Sequence, residues 1–174
     1  MGEDRRNPRT MRVLFICKSN AARSQMAEAF LRHYSRRHTA ESAGLRTARR
    51  GKVGYPVPRQ ISEKMERIGI PMDQYRRKQL RHAMLDSADR VVVVMTPGQV
   101  RAMLPKYVAR SGKVTYWSDI KDPQNDRERV RARDQLRRKV RALVRELAVQ
   151  RHEAARPRRP VRRRPPASRP ARNR

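Results

Sequence analysis

Cysteine is almost absent from this sequence: its 174 residues include one, Cys17. A single cysteine can form neither an intramolecular disulfide nor a multi-cysteine zinc site, so any function of Cys17 is that of a lone thiol. Hydrophobic residues are also scarce, at 37% of the chain, and aromatic residues reach only 5%. This content is low for a packed domain but higher than that of a wholly disordered chain.

Long apolar stretches are missing as well. The longest strictly apolar run covers residues 91–95, far short of the ~20 residues that a membrane helix needs. Residues 1–10 are polar and charged and lack the apolar centre of a secretory signal. These absences predict a soluble, cytoplasmic protein without a membrane span. The length suits one globular domain, since domains commonly have ~100–200 residues.

Acidic residues are few, with 16 Asp and Glu against 45 Lys and Arg, and the formal net charge is +29. Residues 151–174 contain ten Arg, one Glu and five Pro, a composition that predicts a disordered tail. About +9 of the charge lies there, so the body remains strongly basic. A coding bias toward arginine and a phosphate-binding surface explain this excess equally well. Nucleic acid or another polyanion is the candidate partner of the tail, and an anionic membrane surface or an acidic protein remains an alternative.

The body alternates short apolar runs with helical patterns. Such alternation predicts an α/β fold, a three-layer sandwich around a four-stranded parallel sheet with Rossmann-like topology. We expect a polar extension at residues 1–10, one domain at 11–149 and the tail at 150–174. The predicted strands cover residues 13–16, 40–43, 91–95 and 114–117, and the predicted helices cover residues 24–31, 59–68, 79–87, 97–104 and 126–149.

Residues 17–24, CKSNAARS, place a thiol and a guanidinium six residues apart between the first strand and a helix. The N–H groups of such a loop can bind an oxyanion, and their positive field favours the thiolate of Cys17. Arg23 can bind two phosphoryl oxygens. Ser24 fits a helix N-cap and a hydrogen-bond donor to the thiolate, and Asn20 can brace the loop through its backbone. A lone cysteine at a strand end is, however, more often a buried small apolar residue. The predicted substrate-binding residues are Lys18, Ser19, Asn20, Ala21, Ala22 and Ser24.

The segment at residues 13–30 resembles the low-molecular-weight protein tyrosine phosphatases and, equally, the arsenate reductases that share their fold. Residues 41–44 resemble the second strand and turn of that family, and residues 88–90 resemble the start of its third strand. Asp122-Pro123, followed by a long amphipathic helix, resembles its general-acid loop and last helix. The resemblance covers residues 11–149 and implies a phosphatase-like fold.

The resemblance implies phosphomonoester hydrolysis through a phosphocysteine on Cys17, without a cofactor or a metal. Asp122 would protonate the leaving oxygen and then act as the base on water. Asp73, Asp119 and Asp126 compete for this role, although Asp126 also fits an N-cap. The implied substrate is a phosphorylated protein or a small phosphomonoester. The histidines have no spacing typical of a metal site: His33, His38, His82 and His152.

The sequence departs from the family pattern at three places. Ser19 replaces a common glycine, so a serine must adopt the loop conformation there. Gln124 and Asn125 stand where phosphotyrosine enzymes usually carry aromatic residues, which leaves Tyr55 as the nearest candidate for an aromatic wall. Because no second cysteine exists, arsenate reduction would need an external thiol. That activity is one alternative, and a nucleic-acid-associated protein on this fold is another.

Overall fold

The computed structural model describes residues 10–154. The predicted polar extension therefore lies outside the described residues except for Thr10. The predicted tail at 150–174 lies outside them beyond residue 154. Its first five residues, 150–154, belong to the last helix and not to a disordered segment.

The elements alternate along the chain as the sequence predicts. The strands are β1 (Arg12–Cys17), β2 (Thr39–Gly44), β3 (Arg90–Val93) and β4 (Val114–Tyr116). The helices are α1 (Arg23–Tyr34), α2 (Arg59–Glu66), α3 (His82–Ser87), α4 (Pro97–Met103), α5 (Lys106–Ala109) and α6 (Asp126–Ala154), with a 3-10 turn at Ala48–Arg50. The turn and α5 were not predicted, because each is too short to show a helical period.

All four strands are parallel and lie in the order β2-β1-β3-β4. In the register, Cys17 lies beside Gly44 of β2, and Ile16 lies beside Val93 of β3. The carboxyl ends of β1, β2 and β3 therefore meet at one edge of the sheet, where open α/β folds bind their ligands.

Two apolar cores enclose the sheet, because successive strand residues point to opposite faces. Phe15 and Val92 pack with α1, α2 and α6, whereas Ile16 and Val93 pack with α3, α4 and α5. The fold is therefore a three-layer α/β sandwich, and the predicted fold class is confirmed.

The helix predicted at residues 79–87 begins later than expected. Gln79 forms a bridge with Gly44, and the N–H of Leu80 donates to the carbonyl of Gly44 at 2.9 Å. This pairing holds the segment beside the end of β2, so α3 starts only at His82. A long-range backbone contact thus overrides local helical propensity.

Candidate active site

Cys17 is the last residue of β1, and the loop that follows it leads directly into α1. Its side chain is buried. Gly44 lies against this loop: a Cβ at that position would stand 2.7 Å from the Asn20 nitrogen and 2.8 Å from the Ser19 carbonyl carbon. Only glycine permits this close approach, so β2 supports the loop from one side.

The prediction that Ser24 is an N-cap is wrong. Ala22 holds the cap position, and Ser24 lies within the first turn of α1. There its buried Oγ lies 3.0 Å from the Cys17 Sγ. Because the Asn20 amide donates to the same Oγ at 2.9 Å, the Ser24 hydroxyl proton is free to point at the sulfur. Such a hydrogen bond stabilises a thiolate.

Asn20 connects the loop to its surroundings through all of its side-chain hydrogen-bonding positions. Its Nδ2 also donates to the Ser42 Oγ at 2.8 Å, while its Oδ1 accepts from the Lys78 N–H and the Gln25 amide. The backbone group that hydrogen-bonds the Asn20 side chain thus belongs to the segment at residues 76–81 and not, as the sequence predicted, to the loop of Asn20 itself. Asn20 has a φ of +48°, in the left-handed region that asparagine tolerates better than most residues.

A buried acid lies at the far end of this hydrogen-bond network. The Ser42 Oγ donates to Glu28, which is 1% exposed and which forms ion pairs with Arg32 and Lys78. Two cations offset the cost of burying this carboxylate. Ser42, Glu28 and Lys78 were not predicted as site residues, because their roles depend on contacts between separate elements.

Arg23 is 1% exposed and lies at the start of α1. Its Nη1 donates to the Gln99 Oε1 at 3.0 Å and to the Ile120 carbonyl at 3.3 Å, and its Nη2 lies 3.5 Å from the Asp122 carboxylate. Its Nε has no hydrogen-bond partner among the described residues. The closest acceptors of the guanidinium are neutral, so much of its charge remains available to an anion.

Sequence reasoning missed Gln99, although a signal was present. Thr96 and Gln99 form a reciprocal capping box at the start of α4, and the pattern Thr-x-x-Gln is typical of that motif. The same Gln99 Oε1 accepts from the Thr96 N–H and from Arg23. The cap of α4 therefore fixes one acceptor of the buried guanidinium.

The structure separates the four aspartates that compete for the general-acid role. Asp122 is the one that contacts Arg23, and its side chain is 40% exposed. Asp119 pairs with Lys139, whereas exposed Asp73 contributes its carbonyl to a hydrogen bond from Arg76.

Asp126 does not cap α6. It pairs with Lys64 and Arg129, whose hydrogen bonds lower the pKa of this carboxyl group below its usual value. The cap is Asn125, whose Oδ1 accepts from the Glu128 N–H at 2.9 Å. Gln124 also serves this turn, since its N–H donates to the Glu128 side chain at 2.8 Å. Gln124 and Asn125, which stand where phosphotyrosine enzymes usually carry aromatic residues, therefore form the start of α6 and do not form an apolar wall.

The other loop residues lie between Cys17 and Arg23. Lys18, Ser19 and Ala21 are partly exposed, and Ala22 is buried. Ser19 has no positive φ, so a serine fits where the family often has glycine. Within residues 10–154, the peptide N–H groups of residues 19–23 donate to no protein acceptor. Five consecutive N–H groups without a protein acceptor, next to a thiol and a guanidinium, can bind an oxyanion.

Two other properties concern only the described part of the chain. Its histidines, cysteine and acids form no group of three or more that could hold a metal ion. No helix within residues 10–154 is long and apolar enough to cross a membrane.

Comparison with known proteins agrees with this geometry. The family model described as low molecular weight phosphotyrosine protein phosphatase matches residues 12–153. The chain belongs to this family. A curated relative, the low molecular weight protein-tyrosine-phosphatase Ptp of Acinetobacter johnsonii, is 32% identical over 116 residues, which are 64% of this chain and 78% of the relative.

Solved structures share the fold of this phosphatase. Vibrio vulnificus Wzb in complex with benzylphosphonate superposes with a TM-score of 0.72 at 23% identity, over 79% of this chain and 99% of that chain. The YwlE arginine phosphatase from Geobacillus stearothermophilus gives a TM-score of 0.72 at 25% identity, over 82% and 96% of the two chains.

Family membership makes the protein an enzyme, a low-molecular-weight phosphatase whose substrates are phosphorylated proteins or phosphoesters. The resemblance found in the sequence is thereby confirmed. Membership of this family also favours hydrolysis over arsenate reduction with an external thiol.

Proposed function

We propose that this phosphatase hydrolyses phosphomonoesters through a phosphocysteine on Cys17, with Arg23 binding the phosphoryl group and Asp122 transferring the proton. One observation carries the proposal: the buried Arg23 guanidinium contacts Asp122 and begins the helix whose Ser24 hydrogen-bonds the Cys17 sulfur. These contacts support a single site in which nucleophile, anion receptor and acid act on the same phosphorus.

In the first step, the Cys17 thiolate attacks phosphorus in line. The S–P bond forms while the bond from phosphorus to the leaving oxygen breaks, and the Asp122 proton passes to that oxygen. The Ser24 hydroxyl stabilises the thiolate before the attack. The N–H groups of residues 19–23 and the Arg23 guanidinium stabilise the charge that develops on the phosphoryl oxygens.

In the second step, Asp122, now a carboxylate, takes a proton from a water molecule. The water oxygen attacks phosphorus, the S–P bond breaks, and inorganic phosphate and the Cys17 thiolate are released. Asp122 is partly exposed, which gives its carboxylate access to solvent water for this step.

Hydrolysis of p-nitrophenyl phosphate tests these roles. We expect Cys17→Ser to lower kcat by at least ~10⁴-fold, Arg23→Lys to lower kcat/KM by about 10²- to 10³-fold, and Asp122→Asn to lower kcat by roughly 10²- to 10⁴-fold. Asp119→Asn is the matched control, because Asp119 pairs with Lys139 and not with Arg23. Full activity of Cys17→Ser, or an equal loss in the two aspartate variants, would contradict the assignment.

We also propose that residues 11–149 form the catalytic domain and that the basic tail at 150–174 binds nucleic acid or another polyanion. Ten arginines within residues 151–174 support the second proposal. A cytoplasmic location remains a prediction from the sequence.

A further inference from the structure

Two segments beside the loop at residues 17–24, which we term the catalytic loop, carry charge of one sign only. Residues 44–58 contain four basic residues, residues 76–81 contain another four, and neither segment contains an Asp or a Glu. Six cations from these segments and the catalytic loop, which we term the basic collar, are Lys18, Arg46, Arg49, Arg50, Lys52 and Arg77.

Backbone hydrogen bonds hold the first segment against the catalytic loop. The Leu45 N–H donates to the Cys17 carbonyl at 3.1 Å, and the Arg46 N–H donates to the Lys18 carbonyl at 2.9 Å. Arg46 therefore lies beside Lys18, one residue after the nucleophile. The 3-10 turn that carries Arg49 and Arg50 follows directly, and both of these residues are exposed.

Backbone hydrogen bonds also join the second segment, residues 76–81, to the first segment, residues 44–58. The Gly54 N–H donates to the Arg77 carbonyl, and the Arg77 N–H donates to the Tyr55 carbonyl, each at 2.9 Å. Burial lowers the pKa of Arg77, repulsion from Arg50 lowers it further, and attraction to Cys17 opposes the change. Arg77 thus lies within electrostatic range of both the nucleophile and the 3-10 turn.

No carboxylate of the described residues neutralises the basic collar. Two other cations next to the site do lie beside acids: Lys78 pairs with Glu28, and the Arg23 Nη2 lies 3.5 Å from the Asp122 carboxylate. None of the six collar residues forms an ion pair with an acid within residues 10–154. Clustered like charges repel one another, and an anionic ligand relieves that repulsion.

We propose that the basic collar binds carboxylates that flank the phosphorylated residue, so that the enzyme prefers acidic phosphopeptides. This inference rests on the proposed phosphatase function of Cys17. The family acts on phosphorylated proteins, and a phosphorylated side chain at the sulfur places neighbouring peptide residues over the collar. Nucleic acid fits less well, because its internal phosphodiesters lack the terminal phosphomonoester that the mechanism cleaves.

Two phosphotyrosine peptides of equal length provide the test, one with glutamate and one with glutamine at the two positions on each side. At low ionic strength we expect the glutamate peptide to have about a tenfold higher kcat/KM, mainly through KM. This ratio corresponds to about 1.4 kcal/mol, which two or more exposed ion pairs supply together. The ratio should shrink toward one at ~1 M salt, where the screening length falls to ~3 Å.

The double variant Arg49→Glu/Arg50→Glu should abolish this preference. The readout is the ratio of kcat/KM for the two peptides, because any general effect of the charge reversal on the catalytic step cancels in that ratio. The charge-matched control is Arg36→Glu/Arg110→Glu. Both of these arginines are exposed and precede β2 and β4, at the opposite edge of the sheet. The proposal is overturned if the two peptides react equally, or if the control removes the preference as fully as the collar variant does.

Binding to the Cys17→Ser protein separates this inference from the catalytic proposal. Fluorescence anisotropy should show tighter binding of the glutamate peptide even if turnover is absent. If p-nitrophenyl phosphate is hydrolysed and the peptides bind equally, only the collar inference fails. If a single-stranded oligonucleotide binds more tightly than the glutamate peptide and needs Arg49 and Arg50, the collar is a nucleic-acid site and the peptide proposal is wrong.

Discussion

At the scale of single residues, Asn20 combines an unusual backbone conformation with a fully used side chain. Its φ of +48° disfavours most side chains, and its amide joins Ser24, Ser42, Gln25 and the Lys78 N–H. Mutation can separate the effect of the backbone conformation from that of the hydrogen bonds. Glycine adopts a positive φ easily but has no side chain to form the hydrogen bonds.

We predict that Asn20→Gly lowers kcat on p-nitrophenyl phosphate by about tenfold or more, because the Ser24 hydroxyl loses the donor that orients it. Asn20→Ala should lower activity further, and its free energy of unfolding should be ~1–2 kcal/mol below that of the glycine variant, the cost of a left-handed alanine. Steady-state kinetics and urea unfolding measure the two effects. Wild-type kcat in Asn20→Gly would contradict an orienting role.

His38 links stability to pH. Its Nδ1 accepts the Met11 N–H at 3.1 Å, and burial, with a smaller effect of Arg37, lowers its pKa below 6.5. A lowered folded-state pKa means that the stabilisation is complete above the unfolded value of 6.5 and is lost as pH falls through the folded value.

We therefore predict that the free energy of unfolding falls between about pH 8 and pH 5, and that His38→Asn reduces this slope. The asparagine Oδ1 offers an acceptor near the position of Nδ1 but does not titrate. Urea unfolding at several pH values measures the slope in both proteins, which share the other three histidines. Equal slopes would show that His38 does not contribute.

At the scale of secondary-structure elements, α6 closes one face of the sheet by packing on α1 and α2. Its buried apolar stripe consists of Ala132, Leu136, Val140, Leu143 and Leu147, and Leu136 is fully buried. We predict that Leu136→Ala lowers the free energy of unfolding by ~2–5 kcal/mol through the cavity that it leaves. Arg138→Ala, at an exposed position of the same helix, should change stability by no more than ~0.5 kcal/mol. Urea unfolding distinguishes the two, and similar values would refute the packing argument.

The elements also show where sequence patterns suffice. Apolar runs and helical periods predicted all four strands and the five longer helices in order, because these signals arise within one segment. The helix caps were harder. Ser24 and Asp126 are both common capping residues, yet Ser24 binds the Cys17 sulfur and Asp126 binds Lys64. Partners outside the helix decided both positions: Cys17 lies seven residues before Ser24, and Lys64 lies 62 residues before Asp126.

At the scale of the whole molecule, about a third of the net charge lies in the tail, a part of the chain that contains none of the proposed catalytic residues. Deletion of residues 151–174 removes about +9 of the +29 formal charge and leaves Cys17, Arg23 and Asp122 in place. We predict that the truncated protein retains its kcat on p-nitrophenyl phosphate. Its binding to a single-stranded oligonucleotide should weaken, with a smaller salt dependence, since each lost phosphate contact lowers the slope by ~0.7. Anisotropy at several salt concentrations checks this, and unchanged binding would assign nucleic-acid affinity to the body.

Local patterns in the amino-acid sequence were enough to predict the alternating α/β order, the position of Cys17 at a strand end and the spacing to Arg23, because these depend on neighbours along the chain. The tertiary structure alone placed Asp122 rather than Asp119 on Arg23, connected Asn20 to Ser42 and Glu28, and gathered unneutralised arginines around Cys17. Those contacts join residues that lie far apart in the chain. They form only when the parallel sheet aligns the carboxyl ends of its strands, which no local pattern encodes.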